Sequence, residues 1–387
     1  MKLANCEVFH VAVPTRRDHG WATKMATPIG YHAILKLETD DGLVGWGESP
    51  AGETWGGADG RHYGETPETV QHFVEKHLFP AIADSSPFQI ANIHYKMDRV
   101  VKGNPYAKAL LDMAIYDVAG KALGLPVCEL LGGDFRPSIE ITHSLGIMDI
   151  DRCIEEAKIA VSEGALTLKC KTGLDPDRDI ELVRRIREEV SETVKIRVDA
   201  NEGYSSVSEA VRVTKAQEEY GIFLCEQPMM GTEMLARVAE RVDVPVMADE
   251  SAWTSQDIIE LNRARAAECF SCYVTKPGGL YRAKQQGDVA AALHMQCDIG
   301  GSVELGIGNA ANLHLGAALP NAILPSVCPV SKPAGGNGPK IAGNYYLDDI
   351  IVETFEFKDG HVFRPKGAGL GITVDEQKIK DYAVGNK

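Results

Sequence analysis

Apolar positions along the chain change rhythm near residue 139, and the two rhythms predict two kinds of architecture. Before that point, the runs 4–14, 31–38 and 43–48 alternate with the period of half-buried strands, and Asp40-Asp41-Gly42 supplies a hairpin turn between the last two. Polar loops at 15–30 and 49–64 carry Trp21 and Trp55. Helices are expected over 66–79, 89–101 and 107–123, the last from the spacing of Leu110, Leu111, Ala114, Ile115 and Val118. Strands followed by helices describe an α+β unit, assigned to residues 1–130.

After residue 139, short apolar runs alternate with amphipathic helices. The runs are 139–145, 165–171, 194–199, 222–226, 244–249, 269–276, 295–303 and 322–327, with helices such as 150–163, 177–190 and 206–220 between them. Repeated strand-then-helix units build a parallel sheet, and about eight of them close on themselves. The fold class expected is therefore α/β: a modified (β/α)8 TIM-type barrel over 131–340, carrying the first unit as an α+β capping domain. A segment at 341–387, with strands near 350–357 and 361–363, lacks the barrel rhythm and is expected to pack back on the capping domain.

Composition narrows the partners. Among 387 residues, 55 acidic against 40 basic side chains leave a net charge of −15, which phosphate backbones and anionic membranes repel. Neither nucleic acid nor a membrane is expected as a partner. The uncharged run 305–331 is broken by Asn309, Asn312, His314, Pro320 and Asn321, so it is not a membrane span. Nine scattered cysteines without a tight framework suit a reducing compartment, and a cytoplasmic location is expected. Cys269 and Cys272 would point to opposite faces of a barrel strand, as buried filler.

Chemistry in such a barrel sits where strands end at the C-terminal mouth. Five successive strand ends carry Lys171, Asp199, Glu226, Asp249 and Lys276, at spacings of 23 to 28 residues, each about one strand–helix unit. Three carboxylates converging from neighbouring strands repel one another unless a cation joins them. An all-oxygen donor set selects a hard ion, Mg²⁺ or alternatively Mn²⁺. Lys169 and Lys171 are expected to share the interior only if their strand end bulges or curls.

The motifs Lys169-Cys170-Lys171, Asp199-Ala200-Asn201, Glu226-Gln227-Pro228, Ala248-Asp249-Glu250-Ser251 and Lys276-Pro277-Gly278-Gly279 resemble those of the enolase superfamily. More narrowly, the chain resembles the muconate lactonizing enzyme (muconate cycloisomerase) subgroup of the mandelate racemase/muconate lactonizing enzyme family. Gly45-Trp46-Gly47-Glu48, Glu129-Leu130-Leu131-Gly132-Gly133 and Gly369-Leu370-Gly371-Ile372 extend the likeness over nearly the whole chain. The resemblance implies Mg²⁺ held by Asp199, Glu226 and Asp249, a small-molecule carboxylate substrate and a metal-stabilised enolate. Lys171 and Lys276 would be acid/base groups on opposite faces, and Lys169 would orient the carboxylate and tune Lys171. Asn201 and Glu250 would support the ligands, and a homo-oligomer is expected.

Departures from the relatives bear on substrate. The dipeptide epimerases' eighth-strand Asp-x-Asp is absent from Leu324-Pro325-Ser326-Val327-Cys328-Pro329, and so is the cycloisomerases' glutamate. Glu304 would cap the helix beginning near Gly308 or touch substrate. Trp21, Trp55, Tyr31 and Tyr63 could enclose a flat acid or a quaternary ammonium group, or merely exclude water. His143, on the first strand, reads as a satisfied strand residue. The leading function is an isomerase, either a cycloisomerase or a racemase/epimerase of an N-substituted amino acid. A dehydratase acting on a hydroxy acid or hydroxyproline-type substrate is the alternative, and a non-catalytic homologue is the third reading.

Overall fold

The computed structural model describes residues 1–22, 29–57 and 62–384. Parts of both loops predicted above, 23–28 and 58–61, lie outside the described residues, as do 385–387.

Strands β1 (Leu3–Ala12), β2 (Tyr31–Thr39) and β3 (Val44–Ser49) form an antiparallel sheet in that order. Helix α1 (Pro67–Phe73) starts on a capping box between Thr66 and Thr69 and runs through a π-helical turn (Val74–Leu78) into α2 (Phe79–Ile82). Then follow α3 (Ile90–Val100), α4 (Pro105–Leu123) and the single turn α5 (Val127–Leu130). Every residue of α4 from Tyr106 to Gly120 is buried, because the helix packs on β2 and β3 on one side and meets the barrel on the other. The sheet can approach that closely because β3 carries Gly45 and Gly47. A Cβ at Gly47 would lie 2.0 Å from the Leu110 carbonyl oxygen.

The second part begins with β4 (Ser138–Glu140), β5 (Thr142–Leu145), α6 (Ile150–Ser162), β6 (Thr167–Lys171) and α7 (Pro176–Glu189). It continues through β7 (Lys195–Asp199), α8 (Val207–Glu218), β8 (Ile222–Glu226), α9 (Thr232–Ala239) and β9 (Val246–Ala248). It ends with α10 (Ser255–Ala264), β10 (Cys269–Cys272), α11 (Leu280–Ala292), β11 (Gln296–Ile299) and α12 (Gly306–Ala318). Strands β5 to β11 form one curled parallel sheet in sequence order. The predicted eighth strand is irregular, as Pro325 would dictate by removing a ladder donor. Its residues nonetheless bridge both edges: Ala322 pairs with Cys297 beside β11, and Ser326 with Ile141 beside β5. Val327 N donates to Ile299 O at 3.0 Å and Thr142 N to Ser326 O at 2.7 Å. The expected α/β barrel with an N-terminal antiparallel capping unit is thus the architecture found.

Some predicted strands are too long. β9 and β10 stop at Ala248 and Cys272, so Asp249 and Lys276 follow their strands rather than end them. Residues 350–356 are not a strand, although Ile351 bridges Val374. The tail forms β12 (Phe357–Lys358), β13 (His361–Phe363) and α13 (Glu376–Asp381). It bonds to the capping sheet where Ala383 meets Val11, and also to the barrel entrance, where β13 pairs with β4. All nine cysteines are free. Among the described residues, no helix is long and apolar enough to cross a membrane.

Candidate active site

The interior of the barrel follows from strand period alone. In β6, Leu168 and Cys170 face outward into a cluster with Leu182, Val183 and Ile186 of α7, so Lys169 and Lys171 both face inward. This corrects the expectation that a bulge is required: residues two apart share a face in any regular strand. The same parity turns Arg197 and Asp199, Leu224 and Glu226, and Cys269 and Ser271 inward. Leu224, Met247 and Cys269 form a small apolar layer of their own. Polar groups of the same interior join across the ring: Arg197 Nη1 donates to Asp298 Oδ2 at 2.7 Å, and Ser271 Oγ to Asp298 Oδ1 at 2.8 Å.

Toward the mouth, register aligns Lys171 with Asp199 and Asp199 with Glu226 on adjacent strands. Lys169 Nζ lies 2.8 Å from both Asp199 Oδ2 and Glu226 Oε1. Lys171 Nζ donates to Asp199 Oδ2 at 2.6 Å and to Asn201 Oδ1 at 2.8 Å. Asn201 in turn donates from Nδ2 to Glu250 Oε1 at 2.9 Å. Burial alone would raise the Asp199 carboxyl, but the two lysine charges hold it well below the usual carboxylate range. Glu226 is pushed up instead, by burial and by the charge of Asp199, with Lys169 opposing. Glu250 is likewise raised, by burial and then by Asp249 and Asp199. Asn201, Glu202 and Gln227 hold positive φ just past β7 and β8 (42°, 65° and 36°), so the backbone at this rim is strained.

A cavity of about 370 Å³ opens between this rim and the capping loops. Lys169, Lys171, Asn201 and Asp249 line its floor, and Trp21, Tyr31, Ile29 and Trp55 line its roof. Tyr63 is not part of the lining and is 78% exposed. Trp21 lies over Lys171, its ring centre 6.0 Å from Nζ. Lys276 does not line the cavity. Its Nζ is fully buried and bonds to Asp249 Oδ1 (2.6 Å), Asp249 O (2.9 Å) and Ser271 O (3.0 Å). Tyr273 lines the cavity in its place, donating to Asp249 Oδ2 at 3.2 Å. Glu304 neither lines the cavity nor caps α12: Glu48 accepts from Leu305 N and Gly308 N, and Asp349 from Gly306 N. His143 is satisfied by Glu156 and by Gly343 N, away from the cavity.

Groups in this lining that went unread in the sequence include His19, Ser144, Tyr273 and Tyr345. His19 is held by a clamp between units, in which Arg16 and Arg17 of the capping loop converge on Glu156 of α6 at 2.6 and 2.7 Å. Paired charges separated by 139 and 140 residues leave no local signature, so spacing could not reveal them. Burial pushes the His19 imidazole well down, with Arg17 and Lys171 adding to the effect.

The acidic set can be tested against a divalent cation by its donors. Asp199, Glu226 and Asp249 are buried oxygen donors from three consecutive staves, and Glu226 Oε2 has no hydrogen-bond partner. That chemistry fits a hard ion. Contrary to the expectation that only a cation could join these carboxylates, Lys169, Lys171, Lys276 and Arg197 already supply positive charge, so neutralisation by itself does not demand an ion. Among the described residues, no three acidic, histidine or cysteine side chains are gathered closely enough to hold an ion. Binding would require Asp199 and Asp249 to exchange lysine contacts for the cation.

Comparison with known proteins adds identity to this geometry. Residues 152–378 match the family described as enolase C-terminal domain-like, and residues 6–132 match the mandelate racemase / muconate lactonizing enzyme N-terminal domain. Muconate cycloisomerase 1 of Rhodococcus opacus is 32% identical, over 99% of this chain and 98% of its own. The crystal structure of N-succinyl Arg/Lys racemase from Bacillus cereus superimposes with a TM-score of 0.89 at 25% identity, covering 100% of this chain and 99% of that one. A dipeptide epimerase from Enterococcus faecalis, solved with Mg and the dipeptide L-Leu-L-Tyr, gives a TM-score of 0.85 at 29% identity, covering 96% and 100%.

Proposed function

Because the chain belongs to the mandelate racemase / muconate lactonizing enzyme family of the enolase superfamily, we propose that it is an isomerase that moves the proton α to the carboxylate of a small organic acid. The observation that carries this reading is Lys171, whose amine lines a 370 Å³ cavity beside Lys169 at the barrel mouth. Lys171 accepts or delivers the proton at the α-carbon, and Asn201 and Asp199 fix the direction of its Nζ. Lys169, with its stem in the barrel, attracts the substrate carboxylate toward the floor. Trp21 and Trp55 exclude water above it, which strengthens every charge interaction within. Asp199, Glu226 and Asp249 would hold Mg²⁺ or Mn²⁺, which would supply positive charge to a carboxylate gaining electron density.

The eighth stave presents Val327 to the cavity rather than an acid, so nothing there would hold a free ammonium group. A cycloisomerase substrate or an N-blocked amino acid fits this better than an unblocked dipeptide. The test is incubation with cis,cis-muconate, N-succinyl-lysine, N-succinyl-arginine and L-Ala-L-Glu in D₂O with Mg²⁺, followed by NMR. Isomer formation or α-deuteration with unchanged elemental composition is expected for one of the first three. A keto acid formed with loss of water from an added 2,3-dihydroxy acid would replace isomerisation with elimination. We also expect a homo-oligomer, and a stable monomer by sedimentation at micromolar concentration would refute that.

A further inference from the structure

The cavity lining includes a polar group of side chains that proton transfer leaves unused: His19 of the capping loop, Ser144 of β5 and Tyr345 of the segment after the eighth stave. Strand parity turns Ser144 inward, since His143 and Leu145 on either side of it face α6 and an outer apolar cluster. All three residues are buried, and the His19 and Tyr345 rings meet edge to face at 5.3 Å. The direction of their hydrogens follows from Arg17. Its Nε and Nη2 donate to Glu156, Nη2 also to Ser144 O, and Nη1 to Asp18 O, while Nη1 lies 2.9 Å from His19 Nδ1. A guanidinium only donates, so Nδ1 is the acceptor and the neutral ring carries its hydrogen on Nε2. Nε2 then donates to Ser144 Oγ at 3.2 Å, and the hydroxyl hydrogen of Ser144 is not used in that bond. Tyr345 Oη, buried near Ser144, completes no hydrogen bond. A buried hydroxyl without a partner is costly, and an acceptor brought in by a ligand removes that cost.

We propose that His19, Ser144 and Tyr345 form a subsite for a second oxygen group of the substrate, an acceptor without a proton of its own, such as a second carboxylate or an acyl carbonyl. The Ser144 and Tyr345 hydroxyls donate to that oxygen, and His19 fixes the Ser144 hydrogen by occupying one lone pair of Oγ. Arg17 is a positioning residue: its donors are taken up by Glu156, Ser144 O, Asp18 O and His19, so it acts on the ligand only by setting the histidine tautomer. The inference rests on the reading of a small organic acid in this cavity. It narrows the substrate to acids with an oxygen-bearing second end, because a methyl group in that place would leave both hydroxyls without an acceptor.

The probes are the α,ω-dicarboxylates from succinate to pimelate, their half-amides and the straight-chain monocarboxylates of matching length, titrated by calorimetry with Mg²⁺ present. The best-binding diacid is expected to bind the wild-type enzyme about 10-fold or more tightly than its monoacid, the scale of a hydrogen bond to a charged group. Ser144→Ala and Tyr345→Phe should each reduce that ratio by about 3- to 10-fold, with the affinity for the monoacid unchanged. A half-amide that matches the diacid assigns an acyl oxygen to the subsite, and one that matches the monoacid assigns a carboxylate. A diacid no tighter than its monoacid, or a ratio unchanged in both variants, overturns the subsite. Equal losses of diacid and monoacid in the variants mean a structural role and overturn it as well. Failure of the parent reading is seen separately: preference for the diacid, without α-deuterium exchange in any substrate tried above, overturns proton transfer and leaves the subsite standing.

Discussion

Glu156→Gln removes the negative centre of the clamp that fastens the capping loop to the barrel. The wild-type carboxylate accepts from Arg16 Nη2 at 2.6 Å, Arg17 Nη2 at 2.7 Å and Arg17 Nε at 2.8 Å, with His143 Nε2 at 3.0 Å. The glutamine keeps the shape but leaves two guanidinium groups without a counter-charge and turns an NH₂ toward them. Breaking a buried pair from one side costs about 3–5 kcal/mol. The arginine side chains keep 14% and 12% exposure and can partly rehydrate, so about 3 kcal/mol is the figure expected here. Urea unfolding followed by circular dichroism should show that loss as a lower midpoint at unchanged slope. Acid should shrink it. Burial would raise the Glu156 carboxyl, but His143, Arg17 and Arg16 hold it well below its ordinary value. Its contribution is therefore complete above about pH 4.3 and lost as pH falls toward the folded-state value. Because Arg17 also bonds to Ser144 O at 3.2 Å and His19 lies against it, the variant should raise KM more than it lowers kcat. A stability loss below about 1 kcal/mol, or one independent of acid, would refute the clamp.

Asp199→Asn should abolish Mg²⁺ binding by calorimetry, and unchanged affinity would remove Asp199 from the ligand set. Asp349 is pushed up to about 7, by burial and then by the charge of Glu48, against the bond from Gly306 N. A carboxyl raised in the folded state weakens that state as pH climbs from about 4 to about 7, so Asp349→Asn should flatten the Tm profile across that window. Parallel profiles for the two proteins would contradict the assignment.

The barrel was legible because its strands are fully buried apolar runs closed by polar residues, and Asp199 and Glu226 fall where β7 and β8 end. The sixth strand was misread for a reason also present in the sequence. Counting back by twos from Lys276 gives Val274, Cys272 and Phe270, all in the outer apolar core, with Cys272 Sγ against Ala283 O of α11. Counting back from Tyr273 gives Ser271 and Cys269, the inward parity. Lys276 reaches Asp249 because the chain turns after β10, and a tertiary turn of that kind has no period to read. The cap on α12 was missed for the same kind of reason: its acceptors, Glu48 and Asp349, come from β3 and the tail, 257 and 43 residues away from their donors. Lys169 and Lys171 needed only the strand period, applied without a bulge.

Proton transfer at this site depends on Lys171. Its most direct test follows solvent deuterium into the α-position of the responding carboxylate, comparing wild-type enzyme with Lys171→Met at saturating substrate and Mg²⁺. The variant should still bind the carboxylate through Lys169 and should lose exchange by about 10²–10⁴-fold, the weight of a positioned acid/base group. Exchange at the wild-type rate in Lys171→Met would contradict the account.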